Sequence, residues 1–240
     1  MSPHTQQFIV TSSATGTIAS LLDLPLFANA YPQQFTPKNT AIAFDLHGVL
    51  FQSSYYHIAK ILLRCPHKLR LISLFVNIPM VRTVLTAIFK KYVIEQCINT
   101  LTAQHAIFTP IRPTAIAVAN AQKINHDTLE IIQKLHARGY KLIVFSNIGE
   151  ESISLMRKQF PTIFSYFSHV IHTSAGERYI AKPSLRAFDK LLAHIAPETN
   201  VILIDDVFKN IKQAHALGLY PVPFFNASLL KDTLCYLKVL

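Results

Sequence analysis

Apolar and polar positions along this chain follow two alternating patterns. Short, nearly unbroken apolar runs appear at Thr40-Ala41-Ile42-Ala43-Phe44-Asp45, Lys141–Ser146, His169–Thr173 and Asn200–Asp206, and Tyr220–Phe225 resembles them. Runs this short and this apolar suit strands buried on both faces of a parallel sheet. Between them the period lengthens. His126–Arg138 carries Leu129, Ile132 and Leu135 at helical spacing and is followed by Gly139, a residue type that commonly terminates helices. Leu185–His194 sets Phe188, Leu191 and Leu192 on one face, and Ile211–Leu217 runs into Gly218. Strand and helix in alternation predict an α/β fold built on a doubly wound, Rossmann-like parallel sheet.

Residues 55–125 break that rhythm. Leu71, Leu74, Phe75, Ile78, Val81, Leu85 and Ile88 recur at three- and four-residue intervals, which predicts a separate helical unit inserted after the first strand. Residues 1–39 are poor in charge and rich in Ser, Thr, Gln and Pro. They read as a mobile arm with one short helix near Ile18–Leu26. With no Lys or Arg before Lys38, the basic start of a secretory signal is missing. The expected organisation is an arm over 1–39, an α/β core made of 40–54 and 126–240, and a basic helical insert over 55–125.

Composition narrows the classes. The chain has 240 residues, half of them hydrophobic and 15% charged, which is enough to bury a core and excludes disorder for the body. Its three cysteines, Cys65, Cys97 and Cys235, are far apart, so no disulfide framework or zinc knuckle arises and a reducing, cytoplasmic setting is expected. His169 and His172 lie in a strand-like run, and their spacing alone gives no metal site.

Charge is uneven. The net charge is +10, and residues 55–125 hold nine Lys/Arg against one acid, Glu95. A basic segment can face nucleic acid, anionic lipid or an anionic substrate. No nucleic-acid module is recognisable. Leu71–Phe89 approaches the length of a membrane span, but Ser73, Asn77, Arg82, Thr83 and Thr86 interrupt it. Its basic flanks, Arg64, Lys68 and Arg70 before and Lys90 and Lys91 after, suit an interfacial helix on anionic lipid. The competing reading is a helix buried within the insert.

The strand ends carry the chemistry. In a doubly wound sheet, ligands sit beyond the carboxyl ends of the strands. There the sequence places Asp45, Ser146-Asn147 and Asp205-Asp206, with Lys182-Pro183 in the loop before the fourth strand. Three carboxylates, a hydroxyl, an amide and an ammonium suit phosphoryl transfer assisted by a hard, oxygen-loving Mg²⁺. Without a cation the carboxylates would repel each other and any phosphate.

Phe44-Asp45-Leu46-His47-Gly48-Val49-Leu50, then Ser146-Asn147, Lys182-Pro183 and Asp205-Asp206 with Asn210-Ile211, resemble the four motifs of the haloacid dehalogenase (HAD) superfamily, in order. The resemblance covers about residues 40–225. It implies that Asp45 is the nucleophile and forms an aspartyl-phosphate. It implies Mg²⁺ ligation by Asp45, Asp206 and the backbone carbonyl of His47, with Asp205 a further ligand, directly or through water. Ser146 would hold the transferring phosphoryl group, Asn147 would support that loop, Lys182 would neutralise the nucleophile, and Asn210 would orient the acidic pair. The insert corresponds to a helical cap that closes over the site and selects substrate, here a phosphorylated small molecule or phosphoprotein.

One position departs from the family pattern. Phosphatases of the superfamily usually carry Asp two residues after the nucleophile, and this chain has His47. Either imidazole takes over the acid–base role, or the protein is an impaired phosphatase or binding protein, or the chemistry is that of a dehalogenase or phosphonatase. The Asp205-Asp206 pair argues against a metal-free dehalogenase. Lys60 has no context marking it as the Schiff-base lysine of a phosphonatase.

Overall fold

A computed structural model describes residues 34–89 and 93–240. Residues 1–33 of the expected arm, with its short helix, and the pair Lys90-Lys91 lie outside the described residues. The strands are β1 (Thr40–Phe44), β2 (Phe51–Ser53), β3 (Gln122–Ile124), β4 (Lys141–Gly149), β5 (His169–Thr173), β6 (Asn200–Asp205) and β7 (Tyr220–Pro223). The helices are α1 (Tyr55–Arg64), α2 (Lys68–Val76), α3 (Ile78–Phe89), α4 (Ile94–Gln104), α5 (Arg112–Ala119), α6 (His126–Ala137), α7 (Glu150–Gln159), α8 (Pro161–Phe164), α9 (Leu185–Leu192), α10 (Phe208–Ala216) and α11 (Ala227–Tyr236), with a 3-10 segment over Ala106–Ile111.

The five apolar runs form one parallel sheet in the order β5-β4-β1-β6-β7. Period-two alternation sends its side chains to two different cores. Ile42, Phe44, Leu142, Val144, Ile202 and Ile204 pack with Ile131, Ile132 and Leu135 of α6 and Leu230 and Leu234 of α11. The residues between them, Ala41, Ala43, Ile143, Phe145, Val201 and Leu203, pack with Ala187, Phe188 and Leu191 of α9 and Ala214 of α10. Each large apolar side chain so buried is worth roughly 1.5–3 kcal/mol of transfer free energy. This double burial is why the strands read as continuous apolar runs. Gly139 and Gly218, expected at helix ends, have φ +84 and +74 just past α6 and α10.

Strand order reverses at β1, so loops leave its carboxyl end toward both halves of the sheet. That crevice is where an open α/β sheet binds its ligand.

The insert is helical, as its periodicity indicated, and has its own core of Met80, Ile98, Leu101, Phe108, Ile111 and Ile116. The run Leu71–Phe89 is two helices, α2 and α3, with a break at Asn77, whose side chain accepts from the Met80 N–H at 3.1 Å and caps α3. No helix among the described residues is long and apolar enough to cross a membrane.

Two boundaries differ from the expected ones. Residues 51–53 and 122–124, assigned to core and insert respectively, pair as the antiparallel ribbon β2–β3 at the neck between the two. Residues 34–39, assigned to the arm, belong to the core: Phe35 is buried, its ring meets Tyr220 edge-on at 4.8 Å, and its carbonyl accepts from the Tyr140 hydroxyl at 3.2 Å. Burying one large aromatic is enough to hold so short a segment against the sheet edge.

Candidate active site

Asp45 follows β1, the central strand, and its N–H donates to the Ile204 carbonyl at 2.9 Å, which extends the sheet ladder to the edge of the site. Its Oδ1 accepts from the Leu46 N–H at 2.8 Å and lies 3.3 Å from the Lys182 ammonium. Oδ2 accepts no hydrogen bond among the described residues.

Lys182 is the hub. It comes from the loop between β5 and α9, and its side chain is only 1% exposed. The ammonium donates to Asp205 Oδ2 at 2.6 Å and to the Phe145 carbonyl at 2.5 Å, and it faces Asp45. Burial pulls its pKa down, but the Asp45 and Asp205 carboxylates more than reverse this, so it stays protonated. Asn147 fixes the lysine's backbone: its Oδ1 accepts from the Lys182 N–H at 2.7 Å and its Nδ2 donates to the Lys182 carbonyl at 2.9 Å. Ser146 and Asn147, expected just past the end of their strand, lie within β4, whose pairing with β5 is irregular between Phe145 and Gly149, and the Asn147 amide joins that stretch of strand to the lysine.

The acidic pair at the end of β6 divides its work. Asp205 is fully buried. Its Oδ1 accepts from the Val207 N–H at 2.8 Å, and Asn210 Nδ2 donates to both of its oxygens, at 2.9 and 3.0 Å. Asn210 thus orients Asp205 in particular. Asp206 is exposed, and its pKa is pushed up to about 6, first by burial of its carboxyl end and then by the charges of Asp45 and Asp205.

Gly48 makes room for this acid. It has φ +85, and a Cβ there would collide with the Asp206 carboxylate. Glycine is needed both for the left-handed turn and for that approach.

His47 is half-buried, and its Nε2 is buried without a hydrogen-bond partner among the described residues. Burial holds its pKa below the usual imidazole value, and the Asp45 charge offsets part of that effect. The direction of the shift favours the uncharged ring.

Asp45, His47, Gly48, Ser146, Asn147, Lys182, Asp206 and Asn210 line one cavity of about 280 Å³. Of the residues singled out in the sequence, only Asp205 is absent from its wall, because it is shielded behind Lys182 and Asn210. Carboxylate oxygens of Asp45, Asp205 and Asp206 nevertheless lie within 4.8 Å of one another. Three acids this close, two of them with their ionisation disfavoured, are a set of oxygen donors that a divalent cation would fit.

The sequence did not reveal how the insert is held to the core. Glu95 of α4 is buried, and its Oε2 accepts from the Glu151 N–H at the start of α7 at 3.0 Å. A Cβ on Gly149 would strike this carboxylate. Arg112 of α5 pairs with Glu151 at 2.6 Å, and Asn99 donates to the Tyr179 hydroxyl at 2.7 Å. The one available clue was that Glu95 is the sole acid of a basic segment.

A parallel sheet with an acid after its central strand, a buried lysine and an acidic pair at the next strand end places this chain among doubly wound α/β proteins with an acidic site beyond the strand ends. Residues 40–218 match the haloacid dehalogenase-like hydrolase family, and the chain belongs to it. Its fold is similar to that of a HAD-family enzyme of Bacteroides thetaiotaomicron, with a TM-score of 0.53 and 20% identity over 77% of this chain and 93% of that one. It is also similar to a putative HAD hydrolase of Bacillus subtilis bound to magnesium, with a TM-score of 0.57 and 12% identity over 83% of this chain and 98% of that one. A HAD-like hydrolase of Streptococcus pneumoniae gives a TM-score of 0.50 at 19% identity, over 80% and 90% of the two chains. No curated protein matches the sequence.

Proposed function

We propose that this HAD-like hydrolase is a Mg²⁺-dependent phosphomonoester phosphatase working through an aspartyl-phosphate on Asp45. The observation that carries this reading is the division of labour at Asp45. Its Oδ1 is held by Leu46 and Lys182, its Oδ2 is unengaged, and a separate carboxylate, Asp206, stands in the same cavity for a cation. A Bacteroides thetaiotaomicron HAD-family variant in complex with magnesium and inorganic phosphate, 21% identical with a TM-score of 0.50, supports the choice of ligands.

Asp45 Oδ2 attacks phosphorus, the bond from phosphorus to the ester oxygen breaks, and the alcohol departs with a proton from the His47 imidazolium. Water then gives a proton to the neutral His47 ring, attacks the phosphorus of the acyl phosphate and returns the Asp45 carboxylate and inorganic phosphate. The Lys182 ammonium faces Asp45 Oδ1 and orients the carboxylate, and the Ser146 hydroxyl donates to the phosphoryl oxygens. Asp45, Asp206 and the backbone carbonyl of His47 would hold Mg²⁺, with Asp205 a further ligand directly or through water, and the ion would supply positive charge against the phosphate oxygens. The helical insert acts as a cap that selects a phosphorylated small molecule or phosphoprotein. The test is release of inorganic phosphate from a panel of phosphate esters, with Mg²⁺ and with EDTA; no release from any ester would overturn the reading.

The metal arm has its own readout. Asp206 has a folded pKa of about 6, above its ordinary value of 3.8, so its ionisation opposes folding above that range. The sign follows: for this group, stability of the metal-free protein rises as pH falls through about 6. A divalent cation does the same job at neutral pH. Mg²⁺ is therefore expected to raise the thermal midpoint at pH ~7 and to do so much less at pH ~5, where protons compete for the carboxylate. Asp206→Asn is expected to raise the metal-free midpoint and to abolish the Mg²⁺ shift. An undiminished shift in that variant would remove Asp206 from the metal site.

His47 has two jobs to divide. Protonating a leaving alcohol needs imidazolium, which its lowered pKa makes scarce at neutral pH, whereas activating water needs the neutral ring that is present. Cleavage of alkyl phosphates is expected to follow a bell-shaped pH profile, rising below neutrality as the imidazole gains its proton and falling again as protons compete with Mg²⁺ for Asp206. His47→Ala is expected to lose about 10²–10⁴-fold in kcat/KM on an alkyl phosphate and far less on p-nitrophenyl phosphate, whose leaving group needs little help. His47→Asp should keep or raise activity. Equal kcat/KM for wild type and His47→Ala on the alkyl ester would confine His47 to its backbone carbonyl.

A further inference from the structure

Helix α1 is built the wrong way round for a helix whose only task is to pack. It contains no buried residue. Its polar positions, His57, Lys60 and Arg64, share one face and line a groove against Lys158 and Gln159 of α7. The groove has a volume of about 580 Å³, shares no lining residue with the cavity at Asp45, and has no carboxylate in its wall. The face next to it is apolar and turned to solvent: Tyr55 is 83% exposed, and Tyr56 and Leu63, seven residues apart on the same side, are each 72% exposed. The chain then runs into α2, where Lys68 is exposed and Leu69 and Ile72 are 83% and 59% exposed.

Charge on this part of the insert is of one sign along the chain. Residues 55–89 hold five Lys/Arg and no acid. Glu95, the nearest acid downstream, is buried against the start of α7. Among the described residues, Lys60, Arg64 and Lys68 take part in no ion pair.

We propose that the outer face of α1, with the groove beside it and the exposed start of α2, is a docking surface for an anionic phospholipid membrane. Basic side chains beside exposed aromatic and aliphatic ones fit the boundary between headgroups and acyl chains: the cations meet lipid phosphates and the apolar residues enter the layer beneath. Tyrosines are favoured at that depth. A second copy of this chain is a poor occupant, because two faces of one sign repel. Nucleic acid would satisfy the cations but has no use for Leu63, Leu69 and Ile72. The surface is separate from the cavity at Asp45, so this inference does not depend on the phosphatase reading.

Co-sedimentation of the full chain with vesicles tests it. Binding is expected with phosphatidylcholine vesicles containing phosphatidylserine, not with phosphatidylcholine alone, and it should fall as salt rises. Lys60→Glu with Arg64→Glu is expected to weaken it about 30-fold or more, since each cation near the surface contributes about a fivefold effect. Tyr56→Ser with Leu63→Ser is expected to weaken it at least about tenfold, with an unchanged thermal midpoint because both side chains are exposed. Leu69→Ser reports the same loss from an independent helix. Equal recovery with neutral and anionic vesicles, or no recovery with either, overturns the proposal. So does anionic binding indifferent to Tyr56→Ser with Leu63→Ser, which would mark a site for soluble polyanions, or a dimer that those substitutions dissociate.

Discussion

Asp45→Asn is expected to abolish turnover on every phosphate ester, a loss of about 10⁴-fold or more, while leaving the protein folded. The amide cannot attack phosphorus, and nothing else in the cavity replaces it: the Ser146 hydroxyl makes no hydrogen bond to a base among the described residues, and Lys182 is held protonated by two carboxylates. The stability expectation has the opposite sign to that for most core substitutions. Asp45 raises the pKa of Asp206, so its charge is unfavourable to the rest of the acidic cluster. Removing that charge still leaves Lys182 paired with Asp205 at 2.6 Å. The Asp45→Asn protein without metal is therefore expected to melt no lower than the wild type. Steady-state phosphate release and a melting curve on the same preparation check both halves. Residual activity within about tenfold of the wild type would exclude Asp45 as the nucleophile. A fall in the melting temperature would show that the carboxylate stabilises the fold more than it strains the cluster.

Much of this arrangement was legible in the sequence, for reasons visible in particular residues. β1, β4 and β6 showed as apolar runs because Ile42 and Ala43, or Ile202 and Leu203, face opposite cores and neither face tolerates a polar side chain. Asp45, Ser146 and Asp205 stood out because each is the first polar residue after such a run, with Asn147 and Asp206 directly behind the last two. The ribbon β2–β3 was not legible. Its strands are three residues each, too short for any period, and Gln52, Ser53 and Lys123 carry no apolar signal. Phe35 was missed because its partners, Tyr140 and Tyr220, are distant in sequence. Glu95 was visible as an odd charge, but its contact spans 56 residues and depends on the absence of a side chain at Gly149. Local pattern reports which face a residue presents; it does not report which distant backbone N–H that face will meet.

Lys182→Met is expected to cost about 3–5 kcal/mol of folding stability at neutral pH, as well as turnover, because it leaves buried carboxylates without their counter-charge. The size of the effect follows from what the lysine joins. Its ammonium reaches the acid after β1, a carbonyl of β4 and the acid that ends β6, the three adjacent strands at the centre of the sheet. Methionine matches the stem in length and apolar character, so the loss measures charge rather than volume. If the penalty comes from stranded charge, removing that charge should restore part of it. Lys182→Met with Asp205→Asn is therefore expected to be more stable than Lys182→Met alone, even though it carries one more substitution. Lowering the pH should narrow the gap between Lys182→Met and wild type as the orphaned carboxylates protonate. Urea titrations of the wild type, the single variants and the double variant provide the cycle. A Lys182→Met protein as stable as the wild type would make the ammonium dispensable for folding. A double variant less stable than Lys182→Met would show that the Asp205 hydrogen bonds from Val207 and Asn210, not its pairing with Lys182, hold the end of β6 in place.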